Sequence, residues 1–458
     1  MSESWQRQSI LAHTDKSSPL RAVHSTGLTG RMCVPGDKSI SHRALMLSAL
    51  CIGKSTITGL LESEDVIATA KAMAALGAYV ERTQDGAWHV QGVGVGGLSE
   101  PDVEIDFGNA GTGVRLCAGL VAATPINVRF TGDASLQGRP MGRIITPLEQ
   151  MGAVFEAQTP GRLPLTLKGA RDPVPITYEL PMPSAQVKSA VLLAALNTPG
   201  TTSVIETIAT RDHSERMLKA FGADIDIEMQ GTTRRISITG QHELTAANVD
   251  VPGDPSSAAF ALVAALICEN SEITVENVML NPTRTGLIDT LQDMGGDITI
   301  SNRRLSGGEE VGDVRATSSA LHGVTVPAER APSMIDEYPV LAVAAACATG
   351  TTHMAGLQEL RVKESDRLAA VANGLEVNGV AVRAGDDWLE VDGGAVPGGG
   401  LVATHLDHRI AMAFSVLGLV ASAPVEIDDA AIISTSFPDF IDRMRQLGAN
   451  LEDAPGRS

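Results

Sequence analysis

The run Val34-Pro35-Gly36-Asp37-Lys38-Ser39-Ile40-Ser41-His42-Arg43 sets three basic side chains and two hydroxyls directly ahead of an apolar segment, residues 44–50. Ser39 and Ser41 are good N-cap types, and a helix start offers unpaired N–H groups and a positive dipole end. A helix ordinarily prefers acids there. Lys38, His42 and Arg43 make sense at that end if an anion sits among them. Taken alone the run is a solvated basic turn, but the pattern returns. Asn109-Ala110-Gly111-Thr112-Gly113-Val114-Arg115 opens a second apolar segment, and its glycines let a ligand approach backbone N–H groups closely. Ser184 and Gln186 open a third, Asp336 lies near the start of a fifth, and Asp407-His408-Arg409 opens a sixth.

Loops add Arg139, Arg211 and the run Arg361-Val362-Lys363-Glu364-Ser365-Asp366-Arg367. That last run alone is an ordinary charged helix start with opposite charges three and four residues apart. Together these sites describe a cationic cleft able to hold two anions in a strongly acidic protein. The chain lacks HExxH, GxxxxGK[ST], GxSxG and a strand-borne GxGxxG, so the residues point to no metal and no bound cofactor.

The remaining composition sharpens this. The 458 residues carry a net charge of −19, which excludes a general role on nucleic acid or anionic membrane and makes clustered cations informative. Aromatics are 3%, too few for stacking-based recognition of RNA or sugar. Five cysteines without metal spacing read as small buried thiols in a reducing compartment, hence the cytoplasm. No apolar run reaches membrane-spanning length. The first 28 residues are polar, irregular and free of a signal-type apolar stretch, and are expected to be poorly ordered.

These side chains need elements to hold them, and the chain supplies six similar sets. A helix-like stretch ending in a Gly turn and an alternating strand recurs, with turn glycines Gly77, Gly152, Gly222, Gly295, Gly379 and Gly448 at helix C′ positions. Between them lie six small-residue segments that are apolar on nearly every face, as buried helices must be. The expected fold is α/β, built from six β-α-β-α-β-β units, three per lobe. Residues 36–250 form one lobe; 1–35 and 251–458 form the other, with a crossing at the Pro252-Gly253 turn. The glycine-rich stretch 393–400 reads as a hairpin loop.

At the motifs PGDKSISHR, DFGNAGTGVR, GRPMGR, SAQVKSA, RVKESDRL, DHRIAM and TSFPDF, from about Thr29 to Leu451, the chain resembles the 5-enolpyruvylshikimate-3-phosphate synthases. The resemblance implies a two-lobed inside-out α/β barrel closing over its substrates. It implies transfer of enolpyruvyl from phosphoenolpyruvate to the 5-hydroxyl of shikimate 3-phosphate, with no cofactor and no metal. It also implies glyphosate as an inhibitor and a monomer without nucleic-acid or membrane partners. Lys38, Ser39, Arg43, Ser184, Ala185, Gln186, Arg211, Asp336 and Lys363 match contacts to shikimate 3-phosphate. Lys38, Gly111, Arg139, Gln186, Arg367 and Arg409 match the phosphoenolpyruvate pocket, with Lys363 beside it. Asp336, Glu364 and Lys38 match the catalytic groups: Asp336 for the attacking hydroxyl, Glu364 with Lys38 for the proton at C3. Those types suit a reaction that adds a proton and later expels phosphate among fixed cations.

Two positions depart from the family's commoner pattern: Thr435 stands where many members have Lys, and Leu116 where many have Pro. One phosphoenolpyruvate contact is therefore absent or supplied from elsewhere. The nearest rival is the UDP-N-acetylglucosamine enolpyruvyl transferase, which resembles a cysteine-bearing loop at the place of residues 132–139. No cysteine occurs between Cys117 and Cys268, which weighs against it. A phosphate-metabolite sensor on the same scaffold would have no need of Asp336 and Glu364 as acid and base.

Overall fold

The computed structural model describes residues 18–231 and 233–454. The chain divides into two compact units, one of 36–252 with Leu305–Glu309, the other of 18–35, Gly253–Arg304 and the described residues from Glu310 onward.

In the first unit the helices that carry the candidate residues are α1 (Lys38–Ala49), α2 (Glu64–Ala75), α3 (Gly111–Ala122), α4 (Ala185–Ala195) and α5 (His213–Ala220). Three four-stranded sheets accompany them. One of these takes its edge strand, Asn248–Asp250, from far along the chain; it pairs parallel to Lys54–Thr58. The sequence around α1 explains its start: Asp37, not Ser39 or Ser41, is the N-cap, accepting from the Ile40 N–H at 2.8 Å. Ser41 turns back instead, donating to the Asp37 carbonyl at 2.8 Å and accepting from the Leu61 N–H. α3 and α4 approach closely because Gly119 has no side chain; a Cβ there would lie 2.4 Å from the Ala190 carbonyl oxygen. That contact brings the two helix starts within reach of each other, and Gln186 Nε2 donates to Thr112 Oγ1 at 3.0 Å.

The second unit holds α6 (Pro255–Ile267), α7 (Tyr338–Ala346), α8 (Arg367–Val377) and α9 (His408–Gly418). Again three four-stranded sheets surround them. α6 is buried over nearly its whole length, as its uniformly apolar sequence requires. Leu20–Val23 is an inner strand between Val425–Ile427 and Asn450–Asp453. The expectation of a loose segment through residue 28 is therefore corrected for this stretch; its first part, 1–17, lies outside the described residues. The strand escaped notice because only Leu20 and Ala22 alternate inward, too short a period to stand out.

Each of the six four-stranded sheets contains one parallel pair. The six turn glycines all have positive φ, between 78° and 105°. A side chain at those positions would strain each helix exit. The stretch 393–400 is not a hairpin: it joins Trp388–Gly393 to Leu401–Val402, which belong to different sheets. Of the cysteines, all unpaired, Cys33 is exposed rather than buried. Among the described residues no helix is long and apolar enough to cross a membrane.

Candidate active site

In the first unit the α1 start supplies Lys38, Ser39 and Arg43. Lys38 is ion-paired with Asp65 in the first turn of α2. Burial pushes the Asp65 carboxyl up, but the Lys38 ammonium outweighs it and holds the group below the usual carboxylate range. The sequence reading missed Asp65, since an acid in the first turn of a helix is unremarkable by itself. His42 is fully buried, its Nδ1 2.7 Å from Thr69 Oγ1; burial lowers its pKa to about 3, so it is a neutral hydrogen-bonding group rather than a third cation. Arg43 is also buried, and burial lowers its pKa to about 10, which leaves it charged at neutral pH.

Gly111 is the first residue of α3. A Cβ on it would lie 2.8 Å from Arg115 Nη1, 3.3 Å from Arg139 Nη1 and 3.7 Å from Leu136 Cδ1. Arg139 donates to Asn109 Oδ1 at 2.9 Å, and Arg115 donates to the Gly111 and Pro140 carbonyls at 3.1 and 3.0 Å. Ser184 caps α4, accepting from the Val187 N–H at 3.3 Å, with Ala185 and Gln186 half-buried in the first turn. Arg211, just ahead of α5, is near enough to Arg43 to depress its pKa.

The second unit gathers the other predicted residues around one guanidinium. Arg367, 1% exposed, donates from Nε to Asp407 Oδ2 at 2.7 Å, from Nη1 to Asp336 Oδ1 at 3.1 Å and from Nη2 to Glu364 Oε2 at 2.6 Å. Lys363 Nζ lies 3.4 Å from Asp336 Oδ1, and Arg409 Nη1 donates to the Asp336 carbonyl at 3.4 Å. Desolvation raises the Glu364 carboxyl, though its side chain stays 36% exposed, and the Arg367 guanidinium outweighs it and brings it down to about 2. His408 is kept neutral by burial, at about 3. The charged run divides its labour. Arg361 bonds the Asp386 and Gly385 carbonyls and holds the loop, while Asp366 caps α8 by accepting from the Ala369 N–H.

Asp407 and Glu337 belong to this cluster's surroundings and were not singled out as site residues. Glu337, fully buried beside Ser256, has its carboxyl raised by that burial despite Arg284. The two departures also find their places. Leu116 is fully buried in α3, and the Thr435 hydroxyl is used on the Ile432 carbonyl at 2.8 Å, so it offers no substitute for a lysine. Chemically, the first set can hold anions at helix starts, and the second presents two carboxylates on a shared cation.

A family model described as EPSP synthase (3-phosphoshikimate 1-carboxyvinyltransferase) matches residues 23–444. A 3-phosphoshikimate 1-carboxyvinyltransferase of Afipia carboxidovorans is 61% identical over 442 residues, covering 96% of this chain and all of that one. The solved structure of EPSP synthase from Acinetobacter baumannii superposes with a TM-score of 0.88 at 41% identity, over 96% of this chain and all of that one. The enolpyruvyl transferase NikO from Streptomyces tendae, at 19% identity and a TM-score of 0.74 over 96% of this chain and all of that one, shares the fold.

Proposed function

The chain belongs to the EPSP synthase family, and from that premise we propose which of its residues perform each part of the reaction. The activity is transfer of the enolpyruvyl group of phosphoenolpyruvate to the 5-hydroxyl of shikimate 3-phosphate, with release of phosphate, in the shikimate pathway. We read the three sheets of each unit as three copies of one β-α-β-α-β-β repeat in an inside-out α/β barrel, a reading supported by the recurrent parallel pair and the six positive-φ glycines. The two units are taken as the lobes, and the unpaired cysteines favour the cytoplasm.

The observation that carries the site is the grip of Asp336 and Glu364 on Arg367. Phosphoenolpyruvate brings a carboxylate that Arg367 and Arg409 bind. An added anion shares the cation that had kept Glu364 ionised, and a carboxylate that loses part of its counter-charge takes up a proton more readily. Glu364 thereby becomes able to deliver a proton to C3 while Asp336 accepts the one leaving the 5-hydroxyl. The tetrahedral adduct then returns the C3 proton to Glu364 as the C–O bond to phosphate breaks, and the leaving phosphate takes up the proton that Asp336 drew from the hydroxyl. In the first unit Lys38, Ser39, Arg43, Ser184, Ala185, Gln186 and Arg211 serve shikimate 3-phosphate, joined by Asp336 and Lys363. Lys38, Gly111, Arg139 and Gln186 serve phosphoenolpyruvate with Arg367 and Arg409. A phosphate-release assay tests the assignment. Phosphoenolpyruvate with shikimate 3-phosphate releases phosphate and with UDP-N-acetylglucosamine does not; the reverse outcome would overturn it.

Glyphosate is expected to occupy the phosphoenolpyruvate pocket, and Gly111 is expected to set how well it competes. The methyl of Gly111→Ala meets Arg115 and Arg139 side-chain ends, which give way and carry the Arg139 guanidinium with them. Overpacking of this kind costs a ligand on the order of 1–3 kcal/mol, and a longer ligand has less room to adjust than a shorter one. The glyphosate inhibition constant therefore rises by a larger factor than the KM for phosphoenolpyruvate. Steady-state inhibition kinetics on the two proteins decide it, and equal factors would sink the idea.

A further inference from the structure

Two arginines of the candidate site are held in opposite ways. Arg367 is bound by three carboxylates. Among the described residues Arg43, 5% exposed, hydrogen-bonds only to neutral oxygens: Nε donates to Ser214 Oγ at 2.8 Å, Nη2 to Ser189 Oγ at 2.9 Å and Nη1 to the Ser39 carbonyl at 3.0 Å. The two hydroxyls are themselves bonded, 2.7 Å apart, and both serines are buried. Behind them Lys188 contacts Glu206 at 3.2 Å and Glu215 at 2.7 Å, while Arg234 contacts the same two acids at 2.9 and 3.6 Å. Two cations and two anions balance within that group; its Glu215 acts on Arg43 from a distance, as Asp37 and Glu309 do, without a direct hydrogen bond.

A buried guanidinium needs its N–H groups satisfied and its orientation fixed. Carboxylates would do both but would also cancel the charge that an anionic ligand is to meet. Hydroxyl acceptors fix the fork and leave the charge in place. Of the five N–H groups, three are used, and Nη1 and Nη2 each retain one for a ligand. We propose that Ser189 and Ser214 are a positioning pair that orients Arg43 toward the anionic shikimate 3-phosphate without placing a carboxylate in hydrogen-bond contact with it. This rests on the reading of Arg43 as a contact to that substrate. Neither serine touches the substrate in this account; both act through Arg43.

The test is a cycle of binding measurements on the full chain, with shikimate 3-phosphate titrated calorimetrically and kcat read at saturating substrates. Ser189→Ala with Ser214→Ala is expected to weaken shikimate 3-phosphate binding roughly tenfold, the scale of one lost hydrogen bond to a charged group, with kcat changed by less than about twofold. In an Arg43→Met background the same two replacements should change the dissociation constant by less than about twofold, because the serines then have nothing to orient. Should the paired variant fold poorly, each single replacement is judged by the same criterion, with a weakening of roughly threefold expected. Arg43→Met that weakens binding beside a serine pair that does not would overturn the positioning role and leave the site reading intact. Equal serine effects in both backgrounds would also overturn it, as the mark of a general packing role. Unchanged binding in Arg43→Met would overturn the site reading itself and this inference with it.

Discussion

Glu364→Gln and Asp336→Asn each lower kcat by roughly 10²–10⁴, the usual scale for removing one acid or base. The amides keep the size of the side chains and one acceptor oxygen, so packing around Arg367 survives while proton exchange does not. Both carboxylates hold that guanidinium, at 2.6 and 3.1 Å, and their loss also loosens it. Part of the defect therefore appears in the KM for phosphoenolpyruvate, and kcat at saturating substrate isolates the chemical part. Binding of shikimate 3-phosphate changes less. Steady-state kinetics at matched folded fraction check this, and near-normal turnover in either variant would remove that residue from the mechanism.

Arg367→Ala is expected to destabilise the second unit by about 3–5 kcal/mol, the cost of stranding buried charges whose partner has gone. Asp407 is fully buried and the Asp336 side chain is 14% exposed, so at Asp407 above all no water can replace the guanidinium. The pH dependence distinguishes this from simple loss of side-chain volume. In the native protein Glu364 is depressed to about 2. Its contribution to stability is therefore present above its ordinary unfolded value and disappears as the pH falls through about 2. Without Arg367 the Glu364 carboxyl, 36% exposed, loses its main counter-charge and moves upward, so the variant recovers part of its relative stability as acid protonates it. Thermal unfolding at mildly alkaline and mildly acidic pH should show a larger deficit in the alkaline arm. A deficit of the same size in both arms would mean that charge is not what Arg367 contributes there.

The helix starts and the repeat were legible because their rules act over a few residues. A Gly after an apolar helical stretch, six times over, identified six positive-φ exits correctly. Asp407 and Ser184 cap their helices where the polar residue meets the apolar run. Even at the α1 start the helix was evident, and only the choice of cap shifted from the serines to Asp37. Where a signal was short, it was lost: two inward residues at Leu20 and Ala22 did not announce a strand. Glycines at 393–400 suggested a turn but not which sheets it joins, because strand pairing is set by residues far away.

The same division runs through the site. Residue types and helix starts determined that this chain collects cations at helix starts, and resemblance to a family supplied candidate roles. Which cation is bonded to carboxylates and which to hydroxyls was decided by the tertiary structure. Lys38 finds Asp65, Arg367 finds three carboxylates, and Arg43 finds two hydroxyls from 146 and 171 residues away. Ser189 and Ser214 look in sequence like the small residues of any buried helix, and Asp65 like any acid in a first turn. Capping and periodicity depend on neighbours along the chain, so they can be read from it. Charge compensation falls off steeply with distance in space and depends on burial, and both are set only when distant segments pack together.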